Sequence, residues 1–473
     1  MALKIPRGGN SHAGSSTALG STHYIEYNSM NNTTSLSYDI AIVGGGIMGS
    51  TLSYWLGALY PRIRTVLLEQ GSLIAPHTSS RNTGVVHRPF YLNPETKRLF
   101  AQIASHSYPL LKVYAEQHGL PWVQVGTLEI ALAPGDEAHI ERYAKWAVQN
   151  GMAGEEGRIL TKKEIQLMEP EVFCHLGYFC TTDTATDFGL VSRALAQDAK
   201  SFGVAVRLNM VVSDIQPKGD GLAIRIGGTT EISAKYLVNC AGGNALAIAH
   251  RMGVGKEFTD LNFRGEYWVV DRNYRDLAHR NIYTVPRHPE FPFLDPHWIP
   301  RADDSTEIGP SAVPVFGPYT YSGLAPSLWS GIRKVLEPPL QNKFRLFRNR
   351  EFLALAWSEW RNAFSKHSMA NRVRRFLPSL KDEYLLHQGN SGVRSNLIDR
   401  EGRFVREVVE CHGERSLHIL NFNSPGATGA PAYGARLVGM LVEKGILPPP
   451  RDPVGRGIWN YEETITKLSR DLQ

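Results

Sequence analysis

The sequence predicts an α/β protein with two domains, a Rossmann-like domain and a second domain built on an antiparallel sheet. Three observations support this fold class. A β-α-β unit with a glycine-rich loop begins at residue 38. Several short strands punctuated by prolines lie between residues 263 and 320, as expected of an antiparallel sheet. The chain then returns to strands near residue 417, so the first domain is predicted to be discontinuous.

The composition is that of a globular protein and excludes several other classes. Of the 473 residues, 42% are hydrophobic and 20% are charged, which excludes a disordered or fibrous chain. No uncharged apolar stretch reaches about 18 residues, so no membrane-spanning helix is expected. Four cysteines without a C-x-x-C pair predict neither a disulfide framework nor a cysteine zinc site, and they fit a reducing compartment.

The chain before the β-α-β unit is predicted to be irregular, whereas further helices and strands are predicted after it. Residues 1–36 are rich in Ser, Asn, Thr and Gly and lack the apolar core of a secretory signal. We expect a disordered tail there, with Met30 as an alternative start. The later predicted elements are helices at 101–117, 136–150 and 190–202, strands at 127–133, 204–208 and 236–239, a hairpin of 222–226 with 230–232, and a mostly helical stretch at 322–376.

The glycine-rich loop has the form Gly-x-Gly-x-x-Gly at Gly44, Gly46 and Gly49, between an apolar strand at 39–43 and a helix. Gly44 permits the tight turn, Gly46 lets the backbone approach a pyrophosphate, and Gly49 lets the helix pack closely on the strand. The amino terminus of the helix then favours negative phosphate groups. This pattern predicts a dinucleotide site.

An acid in the expected place strengthens this prediction. Glu69 ends the second strand, 25 residues after Gly44, where a carboxylate can accept hydrogen bonds from a ribose. The loop alone does not decide between NAD and FAD. Three later features favour FAD: no second glycine motif is present, the strand at 236–239 ends in small residues, and residues 423–429 follow a strand and open a helix. Such a helix would aim its dipole at the flavin edge that gains negative charge on reduction.

At this point the motifs resemble those of FAD-dependent oxidoreductases of the D-amino-acid oxidase and glycine oxidase superfamily. Within it, the resemblance is closest to L-2-hydroxyglutarate dehydrogenases/oxidases. The likeness spans about residues 37–447. The matching stretches are SRNTGVVH at 80–87, FRGEY at 263–267, residues 289–294 with His297, GPSA at 309–312, GVR at 392–394 with DREG at 399–402, and residues 420–428.

The chain departs from this family at two places. Arg88, Pro89 and Phe90 follow His87, where the family usually has small residues, and Gly426 stands where the family usually has alanine. Both departures are expected near the flavin and the substrate.

The resemblance implies a two-domain flavoprotein of the glutathione-reductase-like type. The implied FAD-binding domain comprises 37–95, 180–255 and 385–447, the substrate domain comprises 96–179 and 256–384, and 448–473 is a C-terminal extension. The implied FAD contacts are Gly44, Gly46, Ile47, Met48, Gly49, Glu69, Gln70, Ser79, Ser80, Arg81, Asn82, Thr83, Gly84, Val212, Ala241, Gly242, Arg394, Gly426, Ala427 and Thr428.

The implied function is oxidation of a small 2-hydroxy acid by hydride transfer from Cα to flavin N5, with L-2-hydroxyglutarate and 2-oxoglutarate as the favoured pair. Two alternatives stay open: another small acid, such as malate or an amino acid, or a catalytically inactive flavin-bound assembly or electron-transfer protein. Quinone or oxygen is the expected electron acceptor. A cytoplasmic protein is expected, peripheral on the inner face of a membrane, or a mitochondrial one in a eukaryote.

His87 is the candidate base, because an imidazole has an ordinary pKa of about 6.5 and suits proton transfer near neutrality. Tyr91 lies four residues further on and is expected to donate a hydrogen bond nearby. The alternative for His87 is a structural histidine. His297 and His387 are further candidates for the base. No group of residues has convincing metal-ligand spacing, and no G-x-S-x-G motif suggests a serine nucleophile.

Arginines are the candidate anchors for the substrate carboxylates, because the guanidinium fork binds a carboxylate at two points. Arg394, Arg264 and Arg301 are nominated, and Arg88 and Tyr267 are weaker candidates. The alternative for each arginine is an ion pair within the protein.

A basic and aromatic segment at 333–376 stands apart from the rest of the chain. Between residues 333 and 375 there are eleven Lys/Arg and three Glu, whereas the whole chain carries only +6. Trp357, Trp360 and Phe364 are spaced to share one helical face. Two interpretations stay open: a helical subdomain that covers the active site, or docking on an anionic membrane. Because the charge is confined to one segment, no nucleic-acid partner is expected.

Overall fold

The computed structural model describes residues 37–472, apart from residues 229, 293–294, 326 and 364. The predicted tail at 1–36 and the predicted face residue Phe364 lie outside the described residues. No helix in the described part of the chain is both long and apolar enough to cross a bilayer.

The strands of the described residues are β1 (Ser37–Val43), β2 (Thr65–Leu68), β3 (Val85–Val86), β4 (Thr127–Ala131), β5 (Gly157–Thr161), β6 (Leu176–Cys180), β7 (Thr184–Ala185), β8 (Ala205–Arg207), β9 (Val212–Lys218), β10 (Gly221–Ile226), β11 (Thr230–Asn239), β12 (Thr259–Gly265), β13 (Trp268–Val270), β14 (Asn281–Thr284), β15 (His297–Pro300), β16 (Thr306–Gly309), β17 (Val313–Val315), β18 (Leu385–Gln388), β19 (Gly392–Ile398), β20 (Val409–Gly413) and β21 (Ser416–Leu420).

The helices are α1 (Ile47–Leu59), α2 (Arg98–His118), α3 (Glu137–Gln149), α4 (Lys162–Met168), α5 (Phe188–Ser201), α6 (Ala245–Arg251), α7 (Leu328–Val335), α8 (Leu340–Phe347), α9 (Arg350–Ala363), α10 (Lys366–Val373), α11 (Gly426–Glu443) and α12 (Tyr461–Leu472).

The first sheet has the order β20-β21-β11-β1-β2-β8, with β10 and β9 added beside β11. Strands β21, β11, β1, β2 and β8 are parallel to one another, as predicted for a Rossmann-like sheet. The predicted hairpin is the antiparallel pair β10 and β11. Parallel strands bring their carboxyl ends to one edge, and in open α/β sheets ligands bind at that edge.

The second sheet has the order β18-β13-β16-β15-β14-β4-β6-β5. All its pairs are antiparallel except β14 with β4, which is parallel. A three-stranded antiparallel sheet, β17-β12-β19, accompanies it. These sheets confirm the predicted combination of a Rossmann-like part and an antiparallel part. The predicted domain boundaries stay a prediction.

Helix α1 is buried along its whole length and packs against α11, which lies more than 360 residues later in sequence. The side chain of Trp55 is fully buried, and its indole N–H donates to the carbonyl of Pro431 in α11 at 2.9 Å. Burying an aromatic side chain of this size stabilises the fold by about 3 kcal/mol or more. Since α11 and β21 pack on α1 and β11, residues far apart in sequence form one cavity wall.

Candidate active site

A cavity of about 390 Å³ opens at the carboxyl edge of the first sheet. Its wall comes from the segments that follow β1, β2, β11 and β21, together with parts of the segment 75–87 and residues 393–395. The predicted cofactor and catalytic residues that line it are Gly44, Gly46, Ile47, Met48, Glu69, Gln70, Ser79, Asn82, Thr83, His87, Val212, Ala241, Gly242, Arg394, Ala427 and Thr428.

The glycine loop is as tight as its sequence predicts. Gly44 has a φ of +104°, a conformation that favours glycine. A Cβ added to Gly49 would lie 1.8 Å from the carbonyl oxygen of Gly44, so only glycine lets α1 start this close to β1. Gly49 therefore shapes the cavity from behind its wall and does not line it.

The carboxylate of Glu69 lies beside this loop. It accepts hydrogen bonds from the backbone N–H of Gly45 and of Gly71, each at 2.7 Å. A carboxylate offers about four acceptor positions, so acceptor capacity remains for the hydroxyls of a ribose. The two bonds hold the acid at the cavity edge, as the dinucleotide motif predicts.

The segment at 79–84 is held rigidly against the loop. The hydroxyl of Ser79 accepts from the backbone N–H of Ile47 at 2.9 Å, and the amide of Asn82 donates to the Ser79 carbonyl at 2.9 Å. Besides Gly49, four predicted contacts do not line the cavity: Ser80, Arg81, Gly84 and, in the later segment, Gly426. Ser80 and Arg81 bond instead to backbone carbonyls, so they fix the wall from outside.

The opposite end of the cavity is the amino terminus of α11. Within the described part of the chain, the N–H groups of Ala427 and Thr428 have no hydrogen-bond acceptor, because they belong to the first helical turn. The cavity thus combines a carboxylate, a glycine backbone and two helix amino termini. The carboxylate matches the ribose hydroxyls of FAD, and the glycine loop with the amino terminus of α1 matches the phosphates. The amino terminus of α11 matches the flavin.

His87 lies near the amino terminus of α11 and contacts a carboxylate that the sequence did not reveal. Its Nδ1 is 3.0 Å from Oδ2 of Asp183, which is fully buried. Asp183 also accepts from the Thr127 hydroxyl at 2.7 Å and from the Arg88 backbone N–H at 2.7 Å. A carboxylate on Nδ1 selects the tautomer that carries its proton there, so Nε2 keeps a lone pair. This arrangement suits a general base.

Aromatic rings surround His87. Tyr91 and Tyr283 both meet its ring edge-on, with centroids 5.6 and 5.8 Å away. His297 stacks on Tyr283 at 3.9 Å, and burial lowers the pKa of His297 to about 3. His297 therefore carries no charge near neutrality. His387 is exposed and bonds to the neighbouring backbone, so we withdraw it as a base.

Arg394 lines the cavity, and its side chain has no ion pair or hydrogen bond to any described residue. Burial lowers its pKa, and Tyr267 and Tyr91 are its electrostatic neighbours. A half-buried guanidinium without a protein anion favours an anionic ligand. Arg394 remains the candidate carboxylate anchor.

The structure gives the other nominated arginines protein partners, so we withdraw them as anchors. Arg264 is buried and donates to Glu266 at 2.7 Å and to the Gly323 carbonyl at 2.5 Å. In the three-stranded sheet Phe263 pairs with Arg394, and successive side chains alternate between faces. Arg264 therefore points to the face opposite Arg394.

The remaining two arginines are also paired. Arg301 donates to Glu307 at 2.9 Å and to the Asn82 carbonyl at 2.5 Å, beside the Tyr267 ring. Arg88 is buried against Glu156 at 2.9 Å. Arg301 consequently braces the segment that contains Asn82, and Arg88 closes the site without facing the cavity.

Three residues of this region were missed by the sequence analysis: Asp183, Glu129 and Tyr283. One signal was present. Thr127 and Glu129 alternate with Leu128 and Ile130 along β4, which marks one polar and one apolar face. The partner of that polar face is Asp183, 56 residues from Thr127 in sequence. The strand pattern alone therefore did not reveal what Thr127 and Glu129 contact.

Comparison with known proteins is consistent with this geometry. The chain is 28% identical to bovine (Bos taurus) "L-2-hydroxyglutarate dehydrogenase, mitochondrial", with 85% of this chain and 88% of the relative covered. It is also 28% identical to "L-2-hydroxyglutarate dehydrogenase" of Escherichia coli strain K12, with 85% and 92% covered.

Solved structures share the fold at lower identity. The FAD-bound L-alpha-glycerophosphate oxidase of Mycoplasma pneumoniae has a TM-score of 0.68 and 21% identity, covering 86% of this chain and 94% of that one. Glycine oxidase of Geobacillus kaustophilus has a TM-score of 0.64 and 20% identity, covering 86% and 95%. Residues 39–440 match the family "DAO: FAD dependent oxidoreductase". The chain therefore belongs to the DAO family of FAD-dependent oxidoreductases, and its cofactor is FAD.

Proposed function

We propose that the protein oxidises a small 2-hydroxy acid to the 2-oxo acid, with L-2-hydroxyglutarate as its substrate. The observation that carries this proposal is Arg394, whose side chain has no partner among the described residues and which lines the same cavity as His87. Asp183 does not line the cavity and contacts Nδ1 of His87 from behind its wall. A hydroxy acid needs one cation for its carboxylate and one base for its hydroxyl. The relatives named L-2-hydroxyglutarate dehydrogenase support the choice of acid.

Each residue has a separate task in this reaction. Arg394 binds the carboxylate next to the reacting carbon and fixes the orientation of the hydroxyl group. Nε2 of His87 accepts the hydroxyl proton, while Asp183 accepts the Nδ1–H and holds the ring in place. FAD, when bound, supplies the acceptor for the hydride. Removing water from the pocket strengthens both polar interactions.

The residues that would hold FAD follow from the wall of the cavity. We assign Glu69 to the ribose, the loop at Gly44 and Gly46 to the pyrophosphate, and the amino terminus of α11 with Thr428 to the flavin. Gln70, Ser79 and the other cavity-lining residues would complete the site.

The test is anaerobic mixing of the purified holoenzyme with L-2-hydroxyglutarate while the visible flavin absorbance is followed. We expect rapid bleaching, and no bleaching with the D enantiomer as the matched control. Bleaching by malate or an amino acid instead would assign another small acid. If none of these acids reduces the flavin, the proposal fails and the non-catalytic alternative is favoured.

We also infer that helices α7, α8 and α9 dock on an anionic membrane, where quinone would collect the electrons; oxygen is the alternative acceptor. The exposed fractions of Trp329, Phe344 and Trp357 are 79%, 64% and 61%. Exposed arginines lie on the same helices, among them Arg333 and Arg350. Apolar and basic side chains together favour insertion at an anionic lipid surface.

The predicted aromatic face of this segment is divided in the structure. Trp360 is half-buried and packs against the three-stranded sheet, whereas Trp357 is exposed and stacks on it at 5.2 Å. The two interpretations of the segment are therefore compatible, because one side of α9 covers the protein and the other side remains available.

Co-sedimentation with lipid vesicles tests the membrane proposal. The full chain should bind vesicles containing phosphatidylserine and should not bind neutral phosphatidylcholine vesicles. Trp329→Ala with Phe344→Ala should abolish binding, whereas Leu167→Ala, at an equally exposed position in α4, should leave it intact. Equal binding by all variants would overturn the assignment of this surface.

A further inference from the structure

Glu129 lies on the polar face of β4, close to the proposed base. Thr127, two residues earlier on the same face, donates to Asp183 at 2.7 Å. Leu128 and Ile130 lie on the other face of β4 and pack in a hydrophobic core. Across the sheet, Glu129 is flanked by Tyr178 of β6 and Tyr283 of β14. Since Tyr283 also contacts the ring of His87, Glu129 lies one residue away from the proposed base.

Glu129 is a buried residue whose carboxyl group has no partner among the described residues. Its side chain is only 6% exposed, and no described residue donates a hydrogen bond or forms an ion pair with it. Burial, and then the negative charge of Asp183, raise the pKa of Glu129 to about 8. At neutral pH the group is therefore a carboxylic acid, which can donate a hydrogen bond from its O–H.

Two polar atoms on the neighbouring strands β14 and β15 are buried and unsatisfied. Among the described residues, neither the hydroxyl of Tyr283 nor Nδ1 of His297 has a hydrogen-bond partner, although both atoms are buried. Buried polar atoms in folded proteins nearly always have a partner. Together with the unpaired carboxyl group of Glu129, these two atoms lie on neighbouring strands next to the base. The three groups indicate a place that a ligand fills.

The charge of these groups restricts the chemistry of that ligand. The neutral acid of Glu129 and the phenol of Tyr283 both present O–H donors, and His297 stays neutral because burial lowers its pKa to about 3. A carboxylate has acceptor positions for several donors. A protonated acid can serve such a ligand, whereas an ionised one would repel it.

We propose that Glu129, Tyr283 and His297 form a second subsite that binds the distal carboxylate of a dicarboxylic substrate through uncharged hydrogen-bonding groups. Arg394 would bind the other carboxylate, so the two ends of the substrate meet chemically different partners. This inference rests on the proposed function and extends it, because it explains why a dicarboxylate is preferred to a shorter acid.

Binding of non-reacting acids to the oxidised holoenzyme tests the subsite without turnover. Glutarate has a distal carboxylate and butyrate lacks it; each is titrated while the flavin absorbance change gives a dissociation constant. We expect glutarate to bind wild type more tightly than butyrate. Glu129→Ala and Tyr283→Phe should each weaken glutarate binding about tenfold and leave butyrate binding unchanged.

Two further variants control the experiment. Glu129→Gln keeps a neutral donor and should bind glutarate like wild type at neutral pH. Tyr236→Phe removes a buried hydroxyl of β11 in the first sheet and should change nothing. If Glu129→Ala fails to fold, Glu129→Gln and Tyr283→Phe still decide the question.

A pH series separates the acid from its amide. The pKa of Glu129 is raised, so the donating form is complete below neutrality and is lost as pH rises through about 8. Glutarate binding to wild type should weaken over that interval, and binding to Glu129→Gln should not. The other titratable groups around Glu129 are Asp183, His87, Tyr91, Tyr143, Tyr178, Tyr283 and His297, and they are the same in both proteins.

The outcomes distinguish the two proposals. Equal affinity of wild type for glutarate and butyrate, or unchanged glutarate binding in Glu129→Ala and Tyr283→Phe, would overturn the subsite even if L-2-hydroxyglutarate bleaches the flavin. Selective loss of glutarate binding in these variants, without bleaching of wild type by any hydroxy acid, would retain the subsite and overturn the proposed function.

Discussion

The glycine loop and the His87 region are opposite ends of one site, but they are assembled differently. At the loop, backbone N–H groups, close approaches and a single acid do the work, and every member lies between Gly44 and Glu69. At His87, the contacts and the proposed anchor come from side chains on β4, β14 and β19 and from Asp183, which are far apart in sequence. Backbone recognition tolerates few changes of shape, whereas side-chain recognition can be altered one residue at a time.

The largest expected effect is at the backbone end. Gly49→Ala places a methyl group 1.8 Å from the Gly44 carbonyl oxygen, so α1 must shift and the loop must open. We expect the purified protein to lose its FAD and to melt at a lower temperature. Gly135→Ala, where an added Cβ meets no atom within 4 Å, is the matched control. Full flavin content in Gly49→Ala would contradict the tight loop.

At the side-chain end, Asp183→Asn should keep the flavin and lose the chemistry. The amide can present an N–H to Nδ1 of His87, which favours the tautomer with its proton on Nε2. The rate of flavin reduction by substrate should fall by about 10²–10⁴-fold. Stopped-flow absorbance measures it. Thr127→Val, which removes a neighbouring bond to the same carboxylate, should have a much smaller effect; equal rates in Asp183→Asn and wild type would exclude the positioning role.

Arg264→Met is expected to lower the stability of the protein without changing its affinity for substrate. It leaves the buried carboxylate of Glu266 without its cation, which should reduce the free energy of unfolding by about 3–5 kcal/mol. Denaturant unfolding measures this change. Substrate affinity should be unaffected, because Arg264 points away from the cavity. Normal stability combined with weaker substrate binding would restore Arg264 as an anchor.

Arg394→Lys is the complementary change and the smallest of the four. Lysine keeps the charge and loses the planar fork that binds a carboxylate at two points. The dissociation constant for glutarate should rise by about tenfold, with little change in stability, since no described residue pairs with the Arg394 side chain. An unchanged dissociation constant would remove Arg394 from the site.

These contrasts also explain what could be predicted from the sequence. The loop at Gly44 and the acid at Glu69 are separated by a fixed length of strand, helix and strand, so local spacing was sufficient. The fold class and the cofactor, both confirmed, depend on such motifs. His87 was found through a motif that follows the predicted flavin contacts.

The partners of His87 could not be found in that way. Asp183 is 96 residues away, and only the pairing of strands brings it close. The choice between Arg264 and Arg394 depended on the register of β12 and β19, which places them on opposite faces. Register and burial are properties of the assembled sheets, and no local pattern encodes them.

The position of β21 in the first sheet has a consequence for biosynthesis. Residues 237–239 at the carboxyl end of β11 pair with β21, and the cavity wall is completed only by the residues up to Thr428. A nascent chain that has not yet released these residues from the ribosome exposes an unpaired strand edge. The wall of the flavin site is therefore complete only after residue 428 has been synthesised and β21 has paired with β11.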